Sequence, residues 1–135
     1  MDCVFCKIVN GQSPAYKVYE DDVCLAFLDI NPVNKGHCLV IPKQHYEDFL
    51  ITPDEISSHI IIVAKKVARA IKKANGAEGI NFGVNNGSAA GQIVFHAHLH
   101  VMPRFSGDGL KLWKSREYQD DQEKQNMADK IKKAI

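Results

Sequence analysis

Short apolar runs, separated by turn formers, fill the first third of the chain, and the pattern then changes to a helical period. Tyr16 to Glu20 and Val23 to Leu28 are β-prone runs divided by Asp21-Asp22, which predicts an antiparallel hairpin. Asn31 to Gly36 is dense in turn formers and leads into His37-Cys38-Leu39-Val40-Ile41, a buried third strand that ends at Pro42. Thr52-Pro53-Asp54-Glu55 reads as a capping box with proline at the first helical position, opening a helix that runs to Ala74 and stops at Asn75-Gly76. Ile56, Ile60, Val63, Val67, Ile71 and Ala74 form its core-facing stripe, whereas Ile61, Ile62 and Ala68 lie off it. A helix apolar on more than one side is sandwiched or shared with a second copy, so a homodimer is expected. Ile80 to Val84 and the histidine-bearing segment that starts at Gly91 supply two further strands around the loop Asn85 to Gln92.

Strands, one long helix, then strands predict an α+β domain with an antiparallel five-stranded sheet. That domain is placed at residues 1–105. Residues 106–135 are expected to add a loop carrying Trp113 and a polar C-terminal helix, about Tyr118 to Ala134, packed on the same domain through Met127 and Ile131.

Length and charge narrow the function classes. The 135 residues suit a single domain, and a formal net charge of +1 gives no electrostatic case for a nucleic-acid binder. The longest apolar run, Ile60 to Ala64, cannot span a membrane, and the N-terminus shows no leader, so the cytosol is the expected compartment. The four cysteines then read as thiols: Cys24 and Cys38 as small core residues, Cys3-x-x-Cys6 as a metal clip or a redox pair.

The segment His96-Ala97-His98-Leu99-His100 puts three of the six histidines at every second position. On a strand they share one face, roughly 7 Å apart, with Ala97, Leu99 and Val101 behind them. Such a row serves either of two purposes. A neutral imidazole can attack phosphorus without the charge repulsion met by an anionic nucleophile, while a neighbour donates to the phosphate oxygens; a metal site uses the same residues. In the catalytic reading one imidazole of the row attacks, and a neighbouring imidazole, the Gln92 amide and backbone N–H groups of the preceding loop stabilise charge without Mg²⁺.

The string Gly91-Gln92, Val94, His96-x-His98-x-His100 and two apolar residues resembles the signature of the histidine triad family of nucleotidyl hydrolases and transferases. The likeness extends through Cys24 to Pro32, Gly36-His37, Leu39 to Lys43 with His45, and Asn85-Asn86-Gly87. It implies cleavage at the α-phosphorus through a nucleotidyl-histidine intermediate on His98, with His96 and His100 as the other triad members. Asp29 is implied at the ribose hydroxyls, and Val4, Phe5, Ile8, Phe27 and Ile30 in an apolar base slot. Asn85 falls near the phosphate or leaving group, and His37 supports the triad. The Cys-x-x-Cys pair resembles the zinc-containing bacterial and archaeal branch, which implies one structural zinc per chain on Cys3, Cys6, His45 and His96. The expected substrate is a purine nucleoside 5′-monophosphate such as AMP or GMP joined to an amine. The alternatives are a dinucleoside polyphosphate hydrolase and a nucleotide-binding interaction module. Neither nucleic acid nor membrane is an expected partner.

Overall fold

A computed structural model of the chain describes residues 2–135. Its elements are α1 (Val4–Val9), β1 (Lys17–Glu20), β2 (Cys24–Leu28), β3 (Cys38–Pro42), α2 (Asp54–Asn75), β4 (Gly79–Gly83), β5 (Leu99–Arg104) and α3 (Asp121–Ala134), with a single 3-10 turn at Ser88–Ala90. The five strands form one antiparallel sheet in the order β1-β2-β3-β5-β4, as the alternation of strands and helix predicts. Among the described residues no helix is long and apolar enough to cross a membrane.

Both faces of the central strands are apolar, and each face has its own core. Cys24, Ala26, Cys38, Val40, Leu99 and Val101 face α2 and pack on Ile60, Val63, Ala64, Val67 and Ile71. Leu25, Phe27, Leu39 and Ile41 face the other way and are covered by Phe5 and Ile8 of α1. Each large aliphatic side chain so buried contributes about 1.5–3 kcal/mol. The second core therefore depends on α1, a six-residue helix that the sequence pattern does not predict. A run this short has no helical period to detect. Its N-cap is Cys3, whose Sγ accepts from the Cys6 amide at 3.4 Å.

Three local expectations are corrected. The capping box at Thr52 does not form: α2 begins at Asp54 behind Pro53, and the Thr52 hydroxyl donates instead to the Asp48 carbonyl at 2.7 Å. Ala68 is buried within the same chain, which leaves Ile61 and Ile62 as the surplus on α2. The C-terminal helix forms behind Asp120, which caps it by accepting from the Glu123 amide, but it buries no residue; the expected anchors Met127 and Ile131 are exposed. With acidic and basic side chains around most of its circumference, α3 has too narrow an apolar stripe to compete for the core that α2 already fills. The stop of α2 is as predicted, with Gly76 in the left-handed conformation at φ 73°.

Candidate active site

The three histidines do not lie on one uninterrupted strand. β5 starts at Leu99, so His100 alone is a strand residue, while His96 and His98 sit in the irregular approach after the loop. The reason is tertiary: the Ala97 amide donates to the Tyr46 carbonyl at 2.7 Å instead of to a neighbouring strand. The side chains accordingly diverge. His98 and His100 face a common cavity with ring centroids 5.0 Å apart, and His96 turns away into a separate cluster.

Hydrogen bonds fix the tautomer of each ring, because a carbonyl only accepts and a backbone amide only donates. His98 Nδ1 lies 2.7 Å from the His96 carbonyl oxygen, so it carries the hydrogen, and Nε2 keeps its lone pair. His37 Nδ1 accepts from the Val33 amide at 3.1 Å, so its Nε2 donates to His100 Nδ1 at 3.0 Å. That contact makes His100 Nδ1 an acceptor and leaves its hydrogen on Nε2. One imidazole thus presents a lone pair and its neighbour a donor. Burial favours the neutral rings: it pushes His98 and His37 below the ordinary histidine range and, with the nearby His98 and His37 rings, pushes His100 down to about 4.

The cavity, about 490 Å³, is lined by Val4, Phe5 and Ile8 of α1, Phe27 of β2, Asp29 and Ile30 just after it, Asn85, and His98 and His100. The sequence-derived pocket residues are therefore brought together. Phe5 stands edge-on to both Phe27 and His98, at centroid distances of 5.6 and 5.2 Å, and so forms the wall between the apolar part of the cavity and the histidines. Ile30, 83% exposed, is at the open rim and is no core residue. Asp29 holds the turn through the Asn31 amide at 2.8 Å and places its other oxygen 3.6 Å from His37 Nε2 and 4.0 Å from His100 Nδ1. Leu39, Ile93 and Val94 also line the cavity and were not picked out from sequence, since apolar lining and apolar core look alike there.

Two assignments change. Gln92 does not face the cavity: its Nε2 donates to the Glu47 and Val94 carbonyls and its Oε1 accepts from the Gly87 amide, so it shapes the loop instead of contacting phosphate. His37 stands behind His100 and is not a lining residue.

A second cluster joins Cys3, Cys6, His45 and His96. Cys3 Sγ and Cys6 Sγ lie 3.5 and 3.6 Å from His96 Nδ1, Cys6 Sγ lies 3.4 Å from His45 Nδ1, and the two Nδ1 atoms are 3.2 Å apart. A tetrahedral zinc with bonds of about 2.0–2.3 Å has ligand–ligand edges of roughly 3.3–3.8 Å, so the donor set fits. His96 donates from Nε2 to the Pro42 carbonyl at 2.8 Å, which leaves Nδ1 bare and aimed at the thiols. Four protein donors would close the coordination shell, and a zinc held there would cross-link α1 to the segment that carries His96.

The HIT domain family matches residues 10–107. The adenylylsulfatase HINT3 of Arabidopsis thaliana is 49% identical over 109 residues, 81% of this chain and 55% of that longer protein. A crystal structure from Streptococcus mutans superposes with a TM-score of 0.94 at 44% identity, covering 99% of this chain and 85% of the other. A zinc-bound histidine triad family protein from Mycobacterium smegmatis is 40% identical with a TM-score of 0.79, covering 100% and 99% of the two chains.

Proposed function

The chain belongs to the histidine triad (HIT domain) family, and from that premise we propose that it is a nucleotidyl hydrolase that releases a purine nucleoside 5′-monophosphate from an amine through a nucleotidyl intermediate on His98. The observation that carries this reading is the pairing of tautomers: His98 Nε2 offers a lone pair to the same cavity into which His100 Nε2 offers a hydrogen.

The base lies against Phe5, Phe27, Ile8 and Ile30, and Asp29 accepts the ribose hydroxyls. His98 Nε2 attacks the α-phosphorus, the phosphorus–nitrogen bond to the leaving group breaks, and the departing amine takes up a proton from solvent in the open cavity. His98 becomes cationic as the new bond forms, and its Nδ1–H points at the His96 carbonyl, whose dipole stabilises that charge. His100 donates to a non-bridging oxygen in the same step. Water then attacks phosphorus and gives up a proton to solvent, the bond to Nε2 breaks, and the nucleotide leaves with His98 neutral again. One zinc on Cys3, Cys6, His45 and His96 holds α1 against this site, and two copies pair through the exposed Ile61 and Ile62 of α2 and the edge strand β4. The cytosol, where the thiols stay reduced, suits this site.

A second reading rests on the adenylylsulfatase relative, whose name points to a sulfate leaving group. Sulfate departs without a proton, so the two readings differ in leaving-group protonation. Turnover of adenosine 5′-phosphoramidate, lysyl-AMP, adenosine 5′-phosphosulfate and diadenosine polyphosphates, compared at one enzyme concentration, tests the choice. Preference for the two phosphoramidates supports the proposal; preference for the phosphosulfate or the polyphosphates replaces it, and no AMP release from any of them removes it.

A further inference from the structure

The turn between β1 and β2 brings a second set of metal-ligating groups together, on the face of the sheet opposite α1. Asp21 lies in the turn, Cys24 opens β2, and His59 stands in the first half of α2. One carboxylate oxygen, the sulfur and one imidazole nitrogen of these residues lie within 4.8 Å of one another. Cys24 belongs to the core that packs on α2, whereas α1, with its cap Cys3 and with Cys6, covers the opposite core. No single ion can serve both clusters. The cavity that holds His98 and His100 includes none of the three residues.

Asp21 is oriented as a ligand needs to be. Its Oδ1 accepts from the Val23 and Cys24 amides, both at 2.8 Å, and its Oδ2 accepts from the Tyr19 hydroxyl at 2.9 Å and from His59 Nε2 at 2.7 Å. Burial opposes the charge, but the Cys24 amide, His59, the Val23 amide and the Tyr19 hydroxyl together hold the carboxyl well below the usual carboxylate range. A cation placed between Oδ2 and Nε2 leaves three of these four donors in place, so the carboxylate stays oriented.

The sulfur decides which cation. The Asp21–His59 contact by itself ties α2 to the turn, and a small apolar residue would fill the space of Cys24; the thiol adds a third donor to the pair. Burial and the Asp21 charge push that thiol up to about 12, so it stays protonated until a metal able to bond thiolate displaces the proton. Mg²⁺ and Ca²⁺ take oxygen ligands and gain nothing from it, whereas zinc bonds thiolate, imidazole and carboxylate alike. Asp21 and His59 are only half-buried, which leaves a side open to solvent for entry of the ion and for a water as fourth ligand.

We propose that Asp21, Cys24 and His59 bind a second zinc ion, with a water completing the tetrahedron. On binding, Cys24 releases its thiol proton to water, and the hydrogen on His59 Nε2 passes through water to Nδ1. The separation of Oδ2 and Nε2 widens from 2.7 Å to a tetrahedral edge of roughly 3.3 Å, within reach of a rotation of the half-buried imidazole. Three protein donors hold this ion where four would hold the other, so it is the weaker site: it fills second and empties on dialysis. The ion clips the β1–β2 turn to α2, on the side of the sheet that the helix barely reaches. This site stands apart from the chemistry proposed for His98.

Cobalt(II) added to the metal-free, full-length protein under reducing conditions is the test, since each thiolate ligand adds to a near-ultraviolet charge-transfer band. Two ions per chain are expected, the second adding about half the thiolate absorption of the first, because it meets one sulfur where the Cys3–Cys6 cluster supplies two. His59→Gln, at a half-buried position that spares the core, should weaken the second ion on the order of tenfold or more. Cys24→Ser should remove its band. A second ion that binds without a thiolate band, or equally well in His59→Gln, is an adventitious ion only and overturns the site. So does a single ion that is lost in Cys3→Ser with Cys6→Ser. A single ion retained in that double variant and lost in His59→Gln keeps this site and removes the other.

Discussion

His37 Nε2 lies 3.0 Å from His100 Nδ1, and because the opposite nitrogen of His37 accepts from the Val33 amide, the hydrogen in this contact belongs to His37. The consequence is that a buried ring outside the cavity sets which nitrogen of His100 can donate into it.

His37→Ala should therefore lower kcat on the order of tenfold to a hundredfold with little change in KM, since the lost interaction matters mainly when charge develops on phosphate. His37→Gln, whose amide can donate to His100 Nδ1, should recover part of the loss. Steady-state kinetics on the best substrate decide this. An Ala variant at wild-type kcat shows that His100 needs no such support.

The proposed zinc ligands and the proposed base slot share α1. Cys3 and Cys6 reach the metal cluster from the helix whose Val4, Phe5 and Ile8 line the cavity, and Phe5 touches both His96 and His98. Cys3→Ser with Cys6→Ser should abolish zinc content, lower the melting temperature and weaken AMP binding on the order of five- to tenfold. By reciprocity AMP should tighten zinc binding by the same factor in the unsubstituted protein. Metal analysis, calorimetry and equilibrium competition with a chelator give the three readouts; AMP affinity indifferent to the metal separates the two sites.

Acid should destabilise the fold through His100. Its folded-state pKa is depressed to about 4 by burial and by the His98 and His37 rings, with Asp29 opposing the shift. Between the unfolded value near 6.5 and about 4, the unfolded chain binds the proton and the folded chain does not, so this contribution is complete above pH 6.5 and is lost as pH falls toward 4. Urea unfolding at pH 7.5 and pH 5 should show a loss in the wild type that exceeds the loss in His100→Asn by roughly 1–2 kcal/mol. Equal losses in the two proteins would show that His100 titrates alike in both states.

Legibility in the sequence followed the range of the interactions. The hairpin, β3, α2 and its Gly76 stop are set by local periodicity and turn chemistry, and all were readable. The cavity residues Asp29, Phe27, Asn85 and His98 came from motif resemblance, and the fold brings them together. What escaped was decided at long range. The Tyr46 carbonyl takes the Ala97 amide out of strand pairing and splits the triad, and Gln92 is drawn to the distant Glu47 carbonyl. α1 is too short for a period, and the fate of the C-terminal helix depends on surfaces that no local pattern describes.

The dimer has its own test in Ile62, 54% exposed on α2 beside Ile61. Ile62→Asp should weaken association by several kcal/mol, read as a shift from twice the chain mass to the chain mass in light scattering at micromolar concentration. An unaltered dimer would place the contact elsewhere.

The nucleophile is tested most directly by trapping the enzyme during turnover. Rapid quench under mildly alkaline conditions, where a phosphoramidate bond to histidine survives, followed by peptide mass spectrometry, should find the mass of a nucleoside monophosphate on the peptide containing His98, at His98 Nε2. His98→Asn should show neither adduct nor turnover while binding AMP within about tenfold of the wild type. An adduct on another residue, or full turnover in His98→Asn, would contradict the mechanism.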